Sequence, residues 1–195
     1  MMDNGHKIVG ILAIQGDFAM HGKMLDRIGK PWKLVKHARE LEDVSGLIMP
    51  GGESTTMLKF FAANGFSPAI REFAARGKPI FGTCAGAILL AQDVLNPPQE
   101  HLALMDITVE RNAYGRQIDS SVQRGDCPEI ADHAVEMVFI RAPIIRRVGE
   151  GVRVLGRCGD LPVLVEQGNL LAATFHPELT EDETIHRYFL KKLDH

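Results

Sequence analysis

The sequence is short of the features that mark membrane, secreted or nucleic-acid-binding proteins. It has no apolar run near the roughly 20 residues that span a bilayer. The N-terminus, Met1-Met2-Asp3-Asn4-Gly5-His6, lacks the basic and apolar regions of a secretory leader, so a cytoplasmic location is expected. Cysteine is scarce. The three residues, Cys84, Cys127 and Cys158, are odd in number and far apart, which argues against a disulfide framework and against a close-spaced zinc site. Charge of one sign is also missing. A formal net charge of −3 gives no reason to expect nucleic acid or an anionic membrane as partner.

What is present is ordinary for a globular protein: 45% hydrophobic and 24% charged residues in a chain of 195. That length suits a single domain, 1–195, large enough to bury a sizeable core. Strand-like and helix-like segments alternate, which predicts an α/β fold with a parallel sheet covered by helices. Lys7 to Gln15 reads as a buried first strand and Asp17 to Ile28 as an amphipathic helix. Short strands follow at Trp32 to Lys36 and Gly46 to Met49, then helices at Ser54 to Ala63 and Pro68 to Ala75. Lys78 to Gly82 is a buried strand, and Ala85 to Val94 reads as a helix directly behind it. Beyond Asn96-Pro97-Pro98 lie short strands at Ile107 to Glu110, Val138 to Ile140, Val152 to Leu155, Val163 to Glu166 and Leu170 to Thr174. Asp182 to Leu193 closes the chain as a helix, and Tyr114 to His133 reads as an excursion over the surface.

Three motifs carry chemistry. Gly82-Thr83-Cys84-Ala85-Gly86 stands at a strand-to-helix junction. A nucleophile on such a tight, strained turn needs small neighbours, and a following helix N-terminus favours thiolate, the reactive form. The competing reading of Cys84 is a buried structural cysteine, and for Cys127 and Cys158 that reading is preferred. His176-Pro177-Glu178 supplies a base and an orienting carboxylate just after a core strand. The other histidines (His6, His21, His37, His101, His133, His186, His195) read as solvated, with no spacing that suggests a metal. Pro50-Gly51-Gly52-Glu53-Ser54-Thr55-Thr56 offers bare backbone N–H groups after a strand, with Ser/Thr capping the next helix. It lacks the lysine of a phosphate-binding loop, and it suits an oxyanion hole or a plain capped turn.

In order along the chain, LAIQGDF, PGGESTTM, FGTCAGAI, VERNAYGRQ, FIRAP and TFHPELTED resemble the class I (triad) glutamine amidotransferases. More narrowly, they resemble the glutaminase subunits of pyridoxal 5′-phosphate synthases, and the likeness covers nearly the whole chain. The resemblance implies a three-layer α/β/α fold, flavodoxin-like, with a mixed, mostly parallel sheet. It implies Cys84 as nucleophile, with His176 and Glu178 completing the triad, and Gly52 and Ala85 as oxyanion donors. It also implies glutamine contacts at Gly52, Glu53, Ser54, Arg111, Ile140 and Arg141. A guanidinium suits an α-carboxylate, and Glu53 could meet the ammonium. The implied reaction hydrolyses L-glutamine without metal or organic cofactor. Its ammonia goes to a partner, the (β/α)₈-barrel synthase subunit of pyridoxal 5′-phosphate synthase. Departures from the family pattern are Ile14, Ala87 and the segment from Asp126 to Val135, none of them in the triad. Rival readings are a glutaminase serving a histidine or purine pathway, a non-catalytic binding module of the same fold, and a cysteine hydrolase or peptidase.

Overall fold

Short apolar runs, several of them only four residues long, make the centre of the structure, a computed structural model describing residues 7–113 and 120–194. Strands β1 (Val9–Leu12), β3 (Gly46–Met49) and β4 (Ile80–Thr83) are buried at every position. Continuous burial is the mark of parallel strands covered on both faces. They lie between β2 (Trp32–Val35) and β12 (Leu170–Ala173), all five running parallel. β11 (Leu161–Gln167) and β10 (Arg153–Cys158) extend the β12 side antiparallel, giving the seven-stranded order β10-β11-β12-β4-β3-β1-β2. The expected mixed, mostly parallel sheet is what forms.

Alternation along each strand divides the core in two. Val9, Ile11, Ile48, Phe81 and Leu171 face one layer, where they meet Leu25 of α1 (Phe18–Ile28) and Ile185 and Phe189 of α5 (Thr184–Lys191). Leu12, Leu47, Met49, Ile80 and Ala172 face the other. There they meet α2 (Ser54–Asn64), α3 (Phe66–Ala75) and α4 (Ala85–Leu90) through Met57, Phe61, Phe66, Ile70 and Leu89. Helices therefore cover both faces. Among the described residues no helix is long and apolar enough to cross a membrane.

Three segments differ from the sequence expectation. The helix expected over Ala85 to Val94 stops at Leu90, and Ala91–Leu95 forms β5. All six residues of α4 are buried, so no polar face marks where the helical period ends. β5 then pairs parallel with β6 (Met105–Glu110), and β6 pairs antiparallel with β9 (Ile144–Val148), a strand the sequence reading passes over. Finally, part of the supposed excursion is a strand. β7 (Ser120–Gly125) pairs antiparallel with β8 (Val135–Ile140), and the cross-strand partner supplies order that periodicity did not reveal. The portion 114–119 lies outside the described residues, as do the N-terminal stretch 1–6 with His6, and His195.

Candidate active site

The chemistry-bearing motifs converge on the carboxyl edge of the parallel strands. Gln15 to Asp17 follow β1, Pro50 to Glu53 follow β3, Cys84 follows β4, and His176 follows β12. Open α/β sheets bind ligands at this edge. Here Asp17, Gly52, Cys84, Arg111, Ile140 and His176 are among the residues lining a cavity of 440 Å³.

Cys84 has φ +48° and ψ −103°, a left-handed backbone that costs energy for any residue with a side chain. The surroundings hold it there. Its N–H donates to the Ala173 carbonyl at 2.8 Å, and its own carbonyl accepts from the Ile88 N–H at 3.1 Å. The flanking glycines are required by packing. A Cβ on Gly86 would lie 2.1 Å from the Met49 carbonyl oxygen, and one on Gly82 would lie 2.6 Å from the Gly86 backbone. The thiol sits at the cavity wall with 7% of the residue exposed. Ala85 opens α4, so its N–H has no partner within the helix and is free to donate to a ligand.

Strand pairing brings the base to the thiol. β12 runs parallel beside β4 with Ala173 opposite Thr83, so the residues just past each strand end become neighbours. His176 N–H donates to the Val138 carbonyl at 2.8 Å, which ties this turn to β8. The His176 ring donates from Nδ1 to Glu178 Oε1 at 2.7 Å, and the Cys84 thiol, on the same cavity wall, donates to the Ile140 carbonyl at 4.0 Å. A Cβ on Gly51 would fall 2.4 Å from His176 Cε1, so the β3 loop can approach the imidazole this closely only as glycine.

His176 and Glu178 are both buried, at 3% and 2% exposure. Burial by itself disfavours imidazolium, but the neighbouring Cys84 and Glu178 outweigh it and lift the His176 pKa to about 10. Burial also pushes the Glu178 carboxyl up, while its hydrogen bond to His176 pulls it down. Asp17 Oδ2 stands 3.8 Å from His176 Nδ1, and Asp17, His176 and Glu178 are the one metal-like grouping among the described residues. His176 and Glu178 spend those ligand atoms on each other, an arrangement suited to proton transfer.

Glu53, Ser54, Arg111, Ile140 and Arg141 also line the cavity. Glu53, expected to face a ligand ammonium, is the cap of α2. It accepts from the N–H groups of Thr55 at 3.0 Å and Thr56 at 2.8 Å, and from both their hydroxyls. Those bonds hold its carboxyl down at about 2. The expected Ser/Thr cap is therefore replaced by Glu53, and the Ser54 hydroxyl donates instead to Gln99 Oε1 at 3.1 Å. Arg111 reaches Glu53 at 3.9 Å across the cavity mouth. Ile140 and Arg141 contribute from the end of β8, Arg141 with φ +42°.

Sequence reasoning missed Asp17, Ile88, Asn112 and Pro143 in the cavity wall. Asp17 lies inside the LAIQGDF run and Asn112 inside VERN, so motif membership was the available signal. Two histidines were misread. His21 and His186, expected to be solvated, are completely buried. Each sits on an amphipathic helix at the edge of the apolar stripe, where a polar letter looks solvent-facing unless its partners are known. Cys127 is buried, and burial pushes its thiol up to about 11; Cys158 is also raised by burial, in keeping with their structural reading.

With this geometry in place, comparison with known proteins is informative. The SNO glutamine amidotransferase family matches residues 11–195. The chain is 53% identical over 192 residues to the pyridoxal 5′-phosphate synthase subunit PdxT of Solibacter usitatus, covering 96% of this chain and 100% of that protein. It is 50% identical over 186 residues to the PdxT of Thermus thermophilus, covering 94% and 96%. A crystal structure of a glutamine amidotransferase superposes with a TM-score of 0.90 at 47% identity, covering 96% of this chain and 99% of that one. PurLQS from Thermotoga maritima, with a TM-score of 0.71 at 16% identity, covering 96% and 99%, shares the fold alone. The chain belongs to the SNO glutamine amidotransferase family.

Proposed function

We propose that this chain works as one glutaminase domain, releasing ammonia from L-glutamine for a pyridoxal 5′-phosphate synthase. The observation that carries the reading is the buried line Cys84, His176, Glu178 at the wall of a 440 Å³ cavity. Close relatives named as PdxT subunits support the same assignment.

In this reading the Cys84 thiolate attacks the side-chain amide carbon of glutamine. N–H groups of Gly52 and Ala85 receive the oxyanion. Imidazolium at His176 gives its proton to the departing nitrogen, ammonia leaves, and a glutamyl thioester remains. His176 then takes a proton from water, which attacks the thioester and frees glutamate and the thiol. Glu178 orients the ring throughout. Arg111 and Arg141 offer guanidinium groups to the α-carboxylate. Glu53 already accepts four hydrogen bonds from Thr55 and Thr56, so its service to the α-ammonium is through the charge it keeps at neutral pH. The partner that receives the ammonia is a (β/α)₈-barrel synthase subunit, and both work in the cytoplasm.

The test is glutamate release from glutamine, with and without that synthase subunit, for the wild-type chain and Cys84→Ser. Turnover that rises with the partner and falls at least about 10³-fold in the variant is expected. Equal turnover in the two chains would remove Cys84 from its role. Turnover indifferent to the synthase would remove the partner.

A further inference from the structure

Behind the triad lie polar groups that glutamine hydrolysis leaves without a task. Glu178 commits Oε1 to His176, and its Oε2 is buried with no hydrogen-bond partner. His21 Nε2, from α1, lies 3.5 Å from that oxygen and 3.2 Å from Thr83 Oγ1. On its other side, His21 Nδ1 is 2.9 Å from Nε2 of His186, from α5. The remaining ring nitrogen, Nδ1 of His186, is buried and unpartnered. His21, Thr83 and His186 have no exposed surface. The Phe81 ring stands edge-on to both imidazoles, with centroids 6.3 and 5.7 Å away, and restrains their tilt.

Burial holds both rings neutral: it pushes His186 down to about 3, and it lowers His21 further than His186 and His176 do by their charge. A neutral imidazole has one N–H, so the pair has two proton arrangements. If His21 carried its proton on Nδ1, its bare Nε2 would face the Glu178 carboxylate, lone pair against anion. His186 would then hold its proton on Nδ1, a buried N–H with nothing to receive it. In the opposite arrangement, His186 Nε2–H donates to His21 Nδ1. His21 Nε2–H then donates to Thr83 Oγ1 with Glu178 Oε2 beside it at 3.5 Å, and the unpartnered ring atom is a bare nitrogen instead of a stranded donor. The second arrangement is the stable one.

We propose that His21 and His186 are positioning residues for the triad, a neutral and directional pair that holds one N–H, donated to Thr83 Oγ1, 3.5 Å from Glu178 Oε2. The positive end of that N–H faces the free carboxylate oxygen and favours the orientation that gives Oε1 to His176, much as outer partners orient ligating histidines in metal sites. The pair ends at the buried Nδ1 of His186, so it sets a dipole and does not conduct a proton to solvent. The proposal rests on the glutaminase reading of Cys84, His176 and Glu178.

Two measurements test it. Nitrogen-15 NMR of the wild-type chain reads the tautomers directly, and both His21 and His186 are expected to carry the proton on Nε2. A proton on His21 Nδ1 overturns the proposal. Kinetics then compare His21→Gln, whose amide N–H reaches the place of Nε2, with His21→Asn, whose amide falls nearer Nδ1. With the synthase subunit present, H21Q is expected to stay close to wild type. H21N should lose roughly 10- to 100-fold in kcat with KM little changed. The groups facing this line are Asp17, Thr83, His176 and His186, and none is altered in either variant. Equal kcat in H21N and H21Q, with Cys84→Ala inactive, overturns the positioning role alone. An active Cys84→Ala overturns the glutaminase reading beneath it.

Discussion

Two buried histidines of this protein have opposite signs of pH dependence, because neighbours overcome burial at His176 and not at His186. His186 is buried against another neutral ring and is held down at about 3, so the folded chain refuses a proton that the unfolded chain accepts near the ordinary histidine value. Stability from that residue is present above the unfolded pKa and is lost as pH falls towards about 3. Urea denaturation of His186→Leu should therefore fall less steeply than wild type across that window, by up to about 1.4 kcal/mol per pH unit. His176 behaves in reverse. Its folded pKa, about 10, is raised, so its contribution is complete below the unfolded value and is lost as pH climbs through about 10. His176→Asn should show a flatter stability curve on the alkaline side than wild type. Cys84, His176 and Glu178 were legible because their residue types sit beside strand ends with the right neighbours. His21 and His186 were not legible, because a histidine's partners come from elements 62 and 165 residues away in the chain.

At the scale of elements, the turn that carries Cys84 depends on backbone-to-backbone contact. Gly86 lets α4 lie against β3 with no room for a methyl group, since a Cβ there would be 2.1 Å from the Met49 carbonyl. Gly86→Ala is expected to cost about 1–3 kcal/mol of stability, and it should slow glutamate release by moving Cys84 out of line. Thermal melts and kcat on the same preparation check both effects. A variant that melts like wild type would mean that α4 shifts freely. The element boundaries show where periodicity stops being informative. The helix from Ala85 ends at Leu90 because β6 offers Ala91–Leu95 a hydrogen-bonded partner, and the all-buried apolar run carries no polar face to mark the change. β7 escaped notice for a related reason. Its exposed, polar positions gain order from β8, not from their own pattern.

For the whole molecule, the two-faced sheet is what ties stability to the site. Phe189 is wholly buried, with its ring 5.5 Å from that of Phe81, and it pins α5 to the sheet on the layer that also holds His186. Phe189→Ala is expected to cost about 3–5 kcal/mol, measured by urea denaturation. It should also reduce glutamate release in the protein that remains folded, because α5 carries one ring of the histidine pair. A loss of stability with unchanged turnover would uncouple the layer from Cys84, His176 and Glu178. The sequence by itself determined the alternating α/β plan, the central apolar strands, the glycine-flanked cysteine and the histidine–carboxylate pair. Each of these is a local matter of side-chain period, size or turn chemistry. Tertiary structure decided what depends on distant partners. It set β12 beside β4, so that His176 meets Cys84, it made Glu53 the cap of α2 at the cavity wall, and it buried His21 and His186 behind Glu178. These are pairings between residues far apart in the chain, and only the packed sheet and its two helical layers fix which of them meet.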